Sequence, residues 1–424
     1  MGYTNGYGDN FSAKEKIPYD DIPISRRAPK KKSQRVSVSS FKVLVSIVAV
    51  MFIINIGLCV ALMYHVKNSV VKNVIVNNNN ITAVGDASAV VASTAWYSSV
   101  CVAAGGSCYD NASFYNNTSS RGSGVIYKID EESDTVYYIT CHHVVDGYDK
   151  YYIMLPSQLK PVKAELVGYS SHYDIAVLKT DTSSIDSCTA IQVFNSAYIT
   201  TGEDVYAVGN PLSGGPSVTK GIVSRINTMI KVEGNAFLSR EIQIDAPINP
   251  GNSGGGAFNN EGKFIGLVNA KLTATQSGSS TVQVTGTAYA IPSTLVVSIA
   301  DSMIENEGSP TCVNLGAEFT HNQAYGIERY NVGDNKYIDI YRVEVKKVSS
   351  GSIASGKLMY NDVIKSVEYI DIFGNTNTIS MFNMYSFEDI KFVIKPHSVI
   401  KFVVDREFVG EKEVTIVASS FSTY

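Results

Sequence analysis

The chain has little cysteine and little charge, and each shortage excludes a class of protein. Six cysteines in 424 residues are too few for a scaffold held by disulfides. Charged residues make up 17% and the net charge is −4, which excludes a nucleic-acid binder acting through bulk positive charge. Hydrophobic residues make up 45%, with 12 prolines and 33 glycines, so a disordered or fibrous chain is also excluded.

Tyrosine is abundant in this chain, whereas tryptophan is scarce. The chain has 26 tyrosines against one tryptophan, and β-strands accommodate aromatic side chains well. At roughly 100–200 residues per domain, the length allows two to four domains. Composition therefore predicts a mainly β chain with more than one domain.

One long apolar run stands near the N-terminus. It extends from about Val43 to Tyr64 and is interrupted only by Ser46, Asn55 and Gly57. Roughly 20 apolar residues in a helix span a bilayer core of about 30 Å, whereas a cleaved signal peptide has a shorter apolar region nearer the terminus. We therefore expect an uncleaved transmembrane helix over residues 42–65.

The flanks of this run predict its orientation. Six basic residues precede it, namely Arg26, Arg27, Lys30, Lys31, Lys32 and Arg35. Only Lys67 and Lys72 follow closely, so residues 1–41 should form a cytoplasmic tail, with the rest of the chain outside the cell membrane. The basic cluster either sets topology alone or also holds anionic lipid. Residues 66–86 are read as an extracellular linker, either a flexible stalk or a short oligomerising coil.

Residues 87–304 read as short β-branched and aromatic runs separated by turn residues. Examples are TVYYIT (135–140), IAVLK (175–179) and VYAVG (205–209). No strand is followed by a long helical pattern until about 293–304, which argues against a parallel α/β sheet. The spacing suits two packed six-stranded barrels.

Three motifs in this region carry chemistry. ITCHHVVDG (139–147) places His143 after a strand, SSHYDIAVLK (170–179) places Asp174 before one, and GNSGG places Ser253 in a glycine-rich turn. A serine hydroxyl becomes a good nucleophile when an imidazole takes its proton and a carboxylate orients that imidazole. The order His, Asp, Ser is one of the known triad orders, and it occurs on chymotrypsin-type barrels.

Together these stretches resemble the HtrA (DegP-like) family of serine proteases. The matching stretches are GSGVIY (122–127), ITCHHVVDG, LVG to DIAVLK (166–179), AVGNPLSGGPSVTKGIVSRI (207–226), QIDAPINPGNSGGGAF (243–258) and GTAYAIPSTLV (286–296). The resemblance implies that His143 is the general base, Asp174 its orienting acid and Ser253 the nucleophile. It further implies that the backbone N–H groups of Gly251 and Ser253 form the oxyanion hole.

The chain departs from the family pattern at a few positions. Cys141 and His142 replace the usual asparagine or alanine, so two adjacent imidazoles compete for the role of base. The T-x-x-H-V spacing favours His143. Gly256 and Ala257 replace the usual proline and leucine after the serine motif, which changes packing but removes no catalytic group.

The resemblance places the primary substrate pocket just before the serine, at Ile248 and Asn249. No acid lies six residues before Ser253, so a preference for lysine or arginine is not expected, because nothing there would pair the buried charge. We expect a small or medium apolar side chain at the cleavage point.

Cysteines and histidines show no zinc-ligand spacing, so no metal and no cofactor are predicted. Cys101 and Cys108 flank a short glycine-rich segment and could form a disulfide. Cys141 and Cys188 could pair or remain buried thiols, and Cys312 lies near a domain boundary. With five cysteines after the apolar run, at least one is unpaired or pairs between chains.

Residues 312–420 read as a separate β-rich module. YIDIYRVEVKKV (337–348) alternates with period two, and YSFEDIKFVIK (385–395) has its apolar residues on one helical face. VNLGAEF (313–319), GSIASGKLMYNDVI (351–364) and SFEDIKFVI (386–394) resemble a PDZ domain. That resemblance implies a peptide-carboxylate loop at Leu315, Gly316 and Ala317, and strand addition by C-terminal peptides. The other interpretation is a structural cap without a ligand.

The sequence thus predicts a membrane-anchored serine endopeptidase that cleaves unfolded or misfolded secreted or cell-envelope proteins. Its PDZ module would regulate cleavage or capture substrate. The resemblance also implies a homotrimer, and no nucleic-acid partner is expected. Two alternatives are a peptide-binding scaffold that does not cut and a chaperone or stress sensor in which proteolysis is minor.

Overall fold

The computed structural model describes most of the chain after residue 86. The described residues are 87–423, with gaps at 159, 186–187, 211–216, 232–237, 272–273, 278–279, 284–285, 322–327, 332–336, 341 and 382–385. The predicted tail (1–41), transmembrane helix (42–65) and linker (66–86) lie outside them. Within the described part, no helix combines the length and apolar character needed to cross a bilayer.

The first barrel is a closed six-stranded sheet. Its strands are β1 (Ser99–Ala104), β2 (Ser120–Asp130), β3 (Thr135–Thr140), β4 (Tyr151–Met154), β5 (Val162–Ser170) and β6 (Ile175–Asp181). They pair in the order β1-β2-β3-β6-β5-β4, and β4 closes onto β1, all antiparallel. β-branched and aromatic side chains such as Val136, Tyr138 and Ile175 are fully buried inside it. Two short helices, α2 (Asn111–Asn116) and α3 (His142–Val145), interrupt the strands.

The second barrel repeats this architecture. Its strands are β7 (Asp204–Gly209), β8 (Ser217–Lys231), β9 (Leu238–Ile244), β10 (Gly256–Phe258), β11 (Phe264–Lys271) and β14 (Ala288–Pro292). They pair in the order β10-β11-β14-β9-β8-β7, and β7 closes onto β10. A small hairpin of β12 (Ala274–Ser277) and β13 (Ser280–Gln283) extends between β11 and β14. The predicted pair of six-stranded barrels is confirmed.

Two longer helices flank the barrels. α1 (Ala87–Tyr97) precedes β1 and was not predicted, because its apolar residues follow no helical period. α4 (Ser293–Glu305) follows β14 at the position where the sequence predicts a helix, and nine of its side chains are buried. Tyr127 of β2 donates a 2.6 Å hydrogen bond to Asp301, which ties α4 to the first barrel.

The C-terminal module is built on an antiparallel sheet with two smaller strand pairs beside it. The strands of the module are β15 (Thr311–Val313), β16 (Ala317–His321), β17 (Glu328–Asn331), β18 (Tyr337–Ile340), β19 (Val343–Val348), β20 (Val363–Ile370), β21 (Thr376–Ser380), β22 (Val399–Arg406), β23 (Gly410–Val417) and β24 (Phe421–Thr423). Five of them follow the order β16-β19-β20-β22-β23, with β21 beside β20. β15 pairs with β24, and β17 with β18. Helix α5 (Ser386–Val393) covers the sheet, burying Phe387 and Ile390.

Candidate active site

His143 lies in the single turn of α3, directly after β3. Its Nδ1 is 2.7 Å from Oδ2 of Asp174, and its backbone N–H donates to Oδ1 of the same carboxylate at 2.8 Å. The His143 side chain is half exposed, whereas Asp174 is 4% exposed. One carboxylate therefore fixes both the backbone and the ring of His143, which leaves Nε2 as the ring nitrogen available for chemistry.

Asp174 occupies a strained position between β5 and β6. Its φ is +55°, a left-handed conformation that non-glycine residues seldom adopt, although aspartate tolerates it better than most. The backbone carbonyl of Asp174 accepts a 3.1 Å bond from the N–H of His142. Such strain persists only where the surroundings enforce it, and it is frequent at functional sites.

The neighbouring imidazole of His142 points elsewhere. It stacks on Tyr169, with ring centroids 4.4 Å apart and planes 17° apart, and its Nε2 is 3.6 Å from Asp146. The structure therefore places His143, and not His142, beside Asp174.

Two opposing effects act on the pKa of His143. Burial lowers it, while the hydrogen bond with Asp174 and the charge of that carboxylate raise it, and together the two raising effects prevail. The pKa consequently lies above its ordinary value of 6.5. A raised pKa makes the imidazole a stronger base for a nearby hydroxyl.

Ser253 lies in a glycine-rich turn that the second barrel presents to the first. Gly251 and Gly254 have φ values of +99° and +84°, which a side chain would strain. The Ser253 hydroxyl donates to the carbonyl of Asn269 at 3.2 Å, and the Gly254 N–H donates to Val268 at 2.7 Å. The turn is thus held against β11.

The serine turn and the histidine turn meet at the first barrel. A Cβ on Gly122 would lie 2.6 Å from Val144, next to His143, and 2.9 Å from the carbonyl oxygen of Ser253. A Cβ on Gly254 would lie 2.2 Å from the carbonyl oxygen of Ser123. Both glycines are therefore needed so that the backbone bearing Ser253 can approach the segment bearing His143.

The two residues predicted to line the substrate pocket differ in exposure. Ile248 is 4% exposed and belongs to the core of the second barrel, whereas Asn249 is exposed and its carbonyl accepts the N–H of Asn252 at 3.0 Å. Ile248 therefore contributes more to the barrel interior than to an open surface, and the pocket stays a prediction.

Cys141 lies behind the His143–Asp174 pair. One ligand-type atom from each of these three residues falls within 4.8 Å of the others, an arrangement that could hold a metal ion. Burial raises the pKa of Cys141 well above its ordinary value, and the charge of Asp174, the Asp174 hydrogen bond and Glu241 raise it further. Metals bind the thiolate, so this protonated thiol is a poor ligand. All five described cysteines are free thiols, including Cys101 and Cys108.

The predicted peptide-carboxylate loop lies at the start of β16, an edge strand of its sheet. Leu315 is buried, Gly316 has a φ of +65° and Ala317 begins the strand. The Gly316 N–H donates to the Asn314 side chain at 2.9 Å. The ring of Phe319 in β16 is 5.4 Å from that of Phe387 in α5, so this edge strand packs against the helix.

Sequence reasoning missed three residues around the site. Ser123 bonds the serine turn, Asn269 accepts the Ser253 hydroxyl, and Tyr173 attaches the aspartate segment to α5. Ser123 lies in the GSG motif, so its position in the sequence could have indicated a role. Asn269 contributes only its backbone carbonyl, which no pattern of side chains can reveal.

The fold and these motifs define a class, the trypsin-like peptidase domain. The family of that description matches residues 122–267. Within that class, the chain is homologous to the HtrA-type serine proteases. It is 33% identical over 282 residues to "Serine protease Do-like HtrA" of Lactococcus lactis subsp. lactis, which covers 64% of this chain and 66% of that protein. The same-named protein of subsp. cremoris is 38% identical over 203 residues, covering 47% and 48%.

Solved structures agree with this relationship. "HtrA-type protease AlgW with tripeptide" matches with a TM-score of 0.51 and 27% identity, covering 79% of this chain and 97% of the other. "HtrA-type protease AlgW with decapeptide" matches with a TM-score of 0.51 and 25% identity, covering 79% and 98%. The chain spans between 48% and 66% of the length of the curated relatives described above.

Proposed function

We propose that this protein is a serine endopeptidase in which Ser253, His143 and Asp174 form the catalytic triad. The observation that carries the proposal is the 2.7 Å contact between His143 Nδ1 and Asp174, made beside a glycine turn that bears a serine. The homology to HtrA-type serine proteases supports the same reaction.

In the proposed mechanism, the Ser253 hydroxyl rotates from the Asn269 carbonyl towards Nε2 of His143. The hydroxyl oxygen attacks the scissile carbonyl as His143 takes its proton, and Asp174 stabilises the imidazolium that results. The N–H groups of Gly251 and Ser253 stabilise the oxyanion. His143 then protonates the leaving amine. In the second half-reaction, water attacks the acyl group as His143 takes its proton, and His143 returns that proton to the Ser253 oxygen as the acid product leaves.

The proposed substrates are unfolded or misfolded secreted or cell-envelope proteins, cut after small or medium apolar residues. An extended chain exposes apolar side chains and unpaired backbone groups, both of which a folded protein hides. The position six residues before Ser253 holds no acid that would pair a basic side chain.

The C-terminal module is proposed to be a PDZ domain that binds peptide C-termini for substrate capture or regulation. Support comes from β16, an edge strand that packs against α5, because a free strand edge suits a peptide that adds as a further strand. Peptide binding to the module could alter the active site through Tyr173, because this residue contacts α5 and directly precedes Asp174. Its hydroxyl donates to the Glu388 carbonyl at 3.2 Å, and its ring is 5.3 Å from that of Phe392.

The membrane helix over residues 42–65, a cytoplasmic N-terminus, extracellular catalytic domains and a homotrimer also belong to the proposal. They are supported by the apolar run with its basic flank and by the family resemblance.

The test uses the full-length chain beside Ser253→Ala, with unfolded casein and a fluorophosphonate probe. We expect cleavage and labelling in the wild type and neither in the variant. Labelling that persists in Ser253→Ala would exclude Ser253 as the nucleophile. Absence of both in the wild type, repeated with added C-terminal peptides, would instead favour a peptide-binding scaffold.

A further inference from the structure

Ser123 of β2 is a buried side chain that joins the two barrels at the serine turn. Its side chain is fully buried, with 0% exposure. Its hydroxyl donates to the Gly251 carbonyl at 2.7 Å, and its backbone N–H donates to the Ser253 carbonyl at 2.8 Å. Ser123 thus binds both residues whose N–H groups are proposed to form the oxyanion hole.

The same hydroxyl is itself held from the second barrel. The N–H of Asn210, at the end of β7, donates to Ser123 Oγ at 2.7 Å. Because a hydroxyl has one hydrogen, the bond from Asn210 leaves that hydrogen for the Gly251 carbonyl. The direction of the Ser123 hydroxyl is therefore determined by its surroundings.

The backbone around Ser123 is tightly packed. A Cβ on Gly209 would lie 2.9 Å from Ser123 Oγ and 2.8 Å from Oδ1 of Asn252. Gly251, with a φ of +99° and no side chain, has no packing of its own to fix its peptide planes. External bonds must supply that restraint.

We propose that Ser123 is a positioning residue for the oxyanion hole, an inference that rests on the proposed protease function. By fixing the carbonyls of Gly251 and Ser253, it anchors the chain on both sides of the peptide group that carries the Ser253 N–H. The serine turn is thereby held in the conformation in which the N–H donors point at the developing oxyanion. Preorganised donors act on the transition state more than on the bound substrate. Loss of the hydroxyl should therefore lower kcat and leave KM nearly unchanged.

The experiment compares Ser123→Ala with Ser99→Ala in the full-length chain. Ser99 is a matched control, because it is 2% exposed and its hydroxyl donates to the Ala95 carbonyl at 2.7 Å, in the first barrel but outside the serine turn. We measure kcat and KM on a peptide substrate and the inhibition constant of a peptide boronic acid, which forms a tetrahedral adduct on the serine.

For Ser123→Ala we expect kcat to fall about 10- to 100-fold, with KM within about twofold. The boronic acid should bind weaker by the same factor, and the pH profile should keep its midpoint. Ser99→Ala should match the wild type in all these quantities. Equal behaviour of the two variants, or a rise in KM at constant kcat, would overturn the inference.

A second variant covers the case in which Ser123→Ala fails to fold. Ser123→Cys keeps the size of the side chain but donates only weakly, so kcat should again fall at constant KM. A Ser123→Cys protein as active as the wild type would overturn the inference. A wild type that neither cleaves nor binds the boronic acid would refute the proposed function itself, and this inference with it.

Discussion

In the described part of the chain, the interface between the two barrels and the interface between the barrels and the C-terminal module are built differently. At the first, backbone meets backbone so closely that a single added Cβ on Gly254 would lie 2.2 Å from a carbonyl oxygen. At the second, side chains make the contacts around a cavity of about 300 Å³ lined by residues such as Arg240, Thr294 and Ile390.

Because of this difference, the two interfaces suit different roles. Close-packed backbone has few alternative arrangements, so the barrel interface suits a catalytic geometry that must be exact within fractions of an ångström. An interface of side chains around a cavity tolerates movement, so the module interface suits adjustment. Tyr173 and Asp174 are consecutive residues: Tyr173 contacts the C-terminal module, whereas Asp174 holds His143 within the first barrel.

The largest effect on activity is expected for Asp174→Asn, which removes the carboxylate that holds His143. The side-chain amide of asparagine can donate a hydrogen bond to Nδ1, which favours the wrong tautomer of the imidazole. In enzymes with a Ser-His-Asp triad, this substitution lowers kcat by about 10⁴-fold. Steady-state hydrolysis of a peptide checks this, with the thermal midpoint as a control for folding. A loss of less than about tenfold would contradict the role of Asp174.

A smaller but still large effect is expected for Gly254→Ala. The methyl group would overlap the Ser123 carbonyl, and the φ of +84° disfavours alanine, so the serine turn must shift. We expect kcat to fall by about 10² or more, since small misplacements near the chemistry have such costs. Gly262→Ala serves as the control, because its φ is +73° but its Cβ would meet a side chain of α1 instead.

The module interface is tested by Phe392→Leu. Loss of the edge contact with Tyr173 removes about 0.5–1.5 kcal/mol of aromatic interaction, so Asp174 should be held less firmly and kcat should fall about 2- to 10-fold. Phe402→Leu is the matched control, because Phe402 is fully buried in the same module and contacts Phe387. Equal activity of the two variants would show that α5 does not act on Asp174.

The smallest effect is expected for Asn195→Ala. Its side-chain amide donates to the buried carboxylate of Asp371 at 2.9 Å, across the module interface. Asp371 keeps its bonds from Asn377 and two backbone N–H groups, so activity should stay within about twofold. Hydrogen exchange in β20 and β21 should rise. Asn377→Ala, which removes a bond within the module, should not loosen the interface in the same way.

Sequence patterns predicted the barrels because strands with buried β-branched residues and marked turns are local signals. They also predicted His143, Asp174 and Ser253 as catalytic candidates, because the motifs around these residues are local as well. The helix α1 was missed because its sequence is apolar without a period. The contacts of Ser123 and Tyr173 could not be predicted, because they join residues 128 and 215 positions apart, and only the folded chain brings those together.

The central claim, that Asp174 and His143 activate Ser253, is tested most directly by the pH dependence of fluorophosphonate labelling in wild type and Asp174→Asn. Only the neutral imidazole accepts a proton, so labelling should rise with pH through the pKa of His143. Because Asp174 raises that pKa, the wild-type midpoint should lie above about 6.5. In Asp174→Asn the carboxylate no longer raises the pKa of His143 and burial still lowers it, so the midpoint should fall below 6.5. An unchanged midpoint would contradict the account.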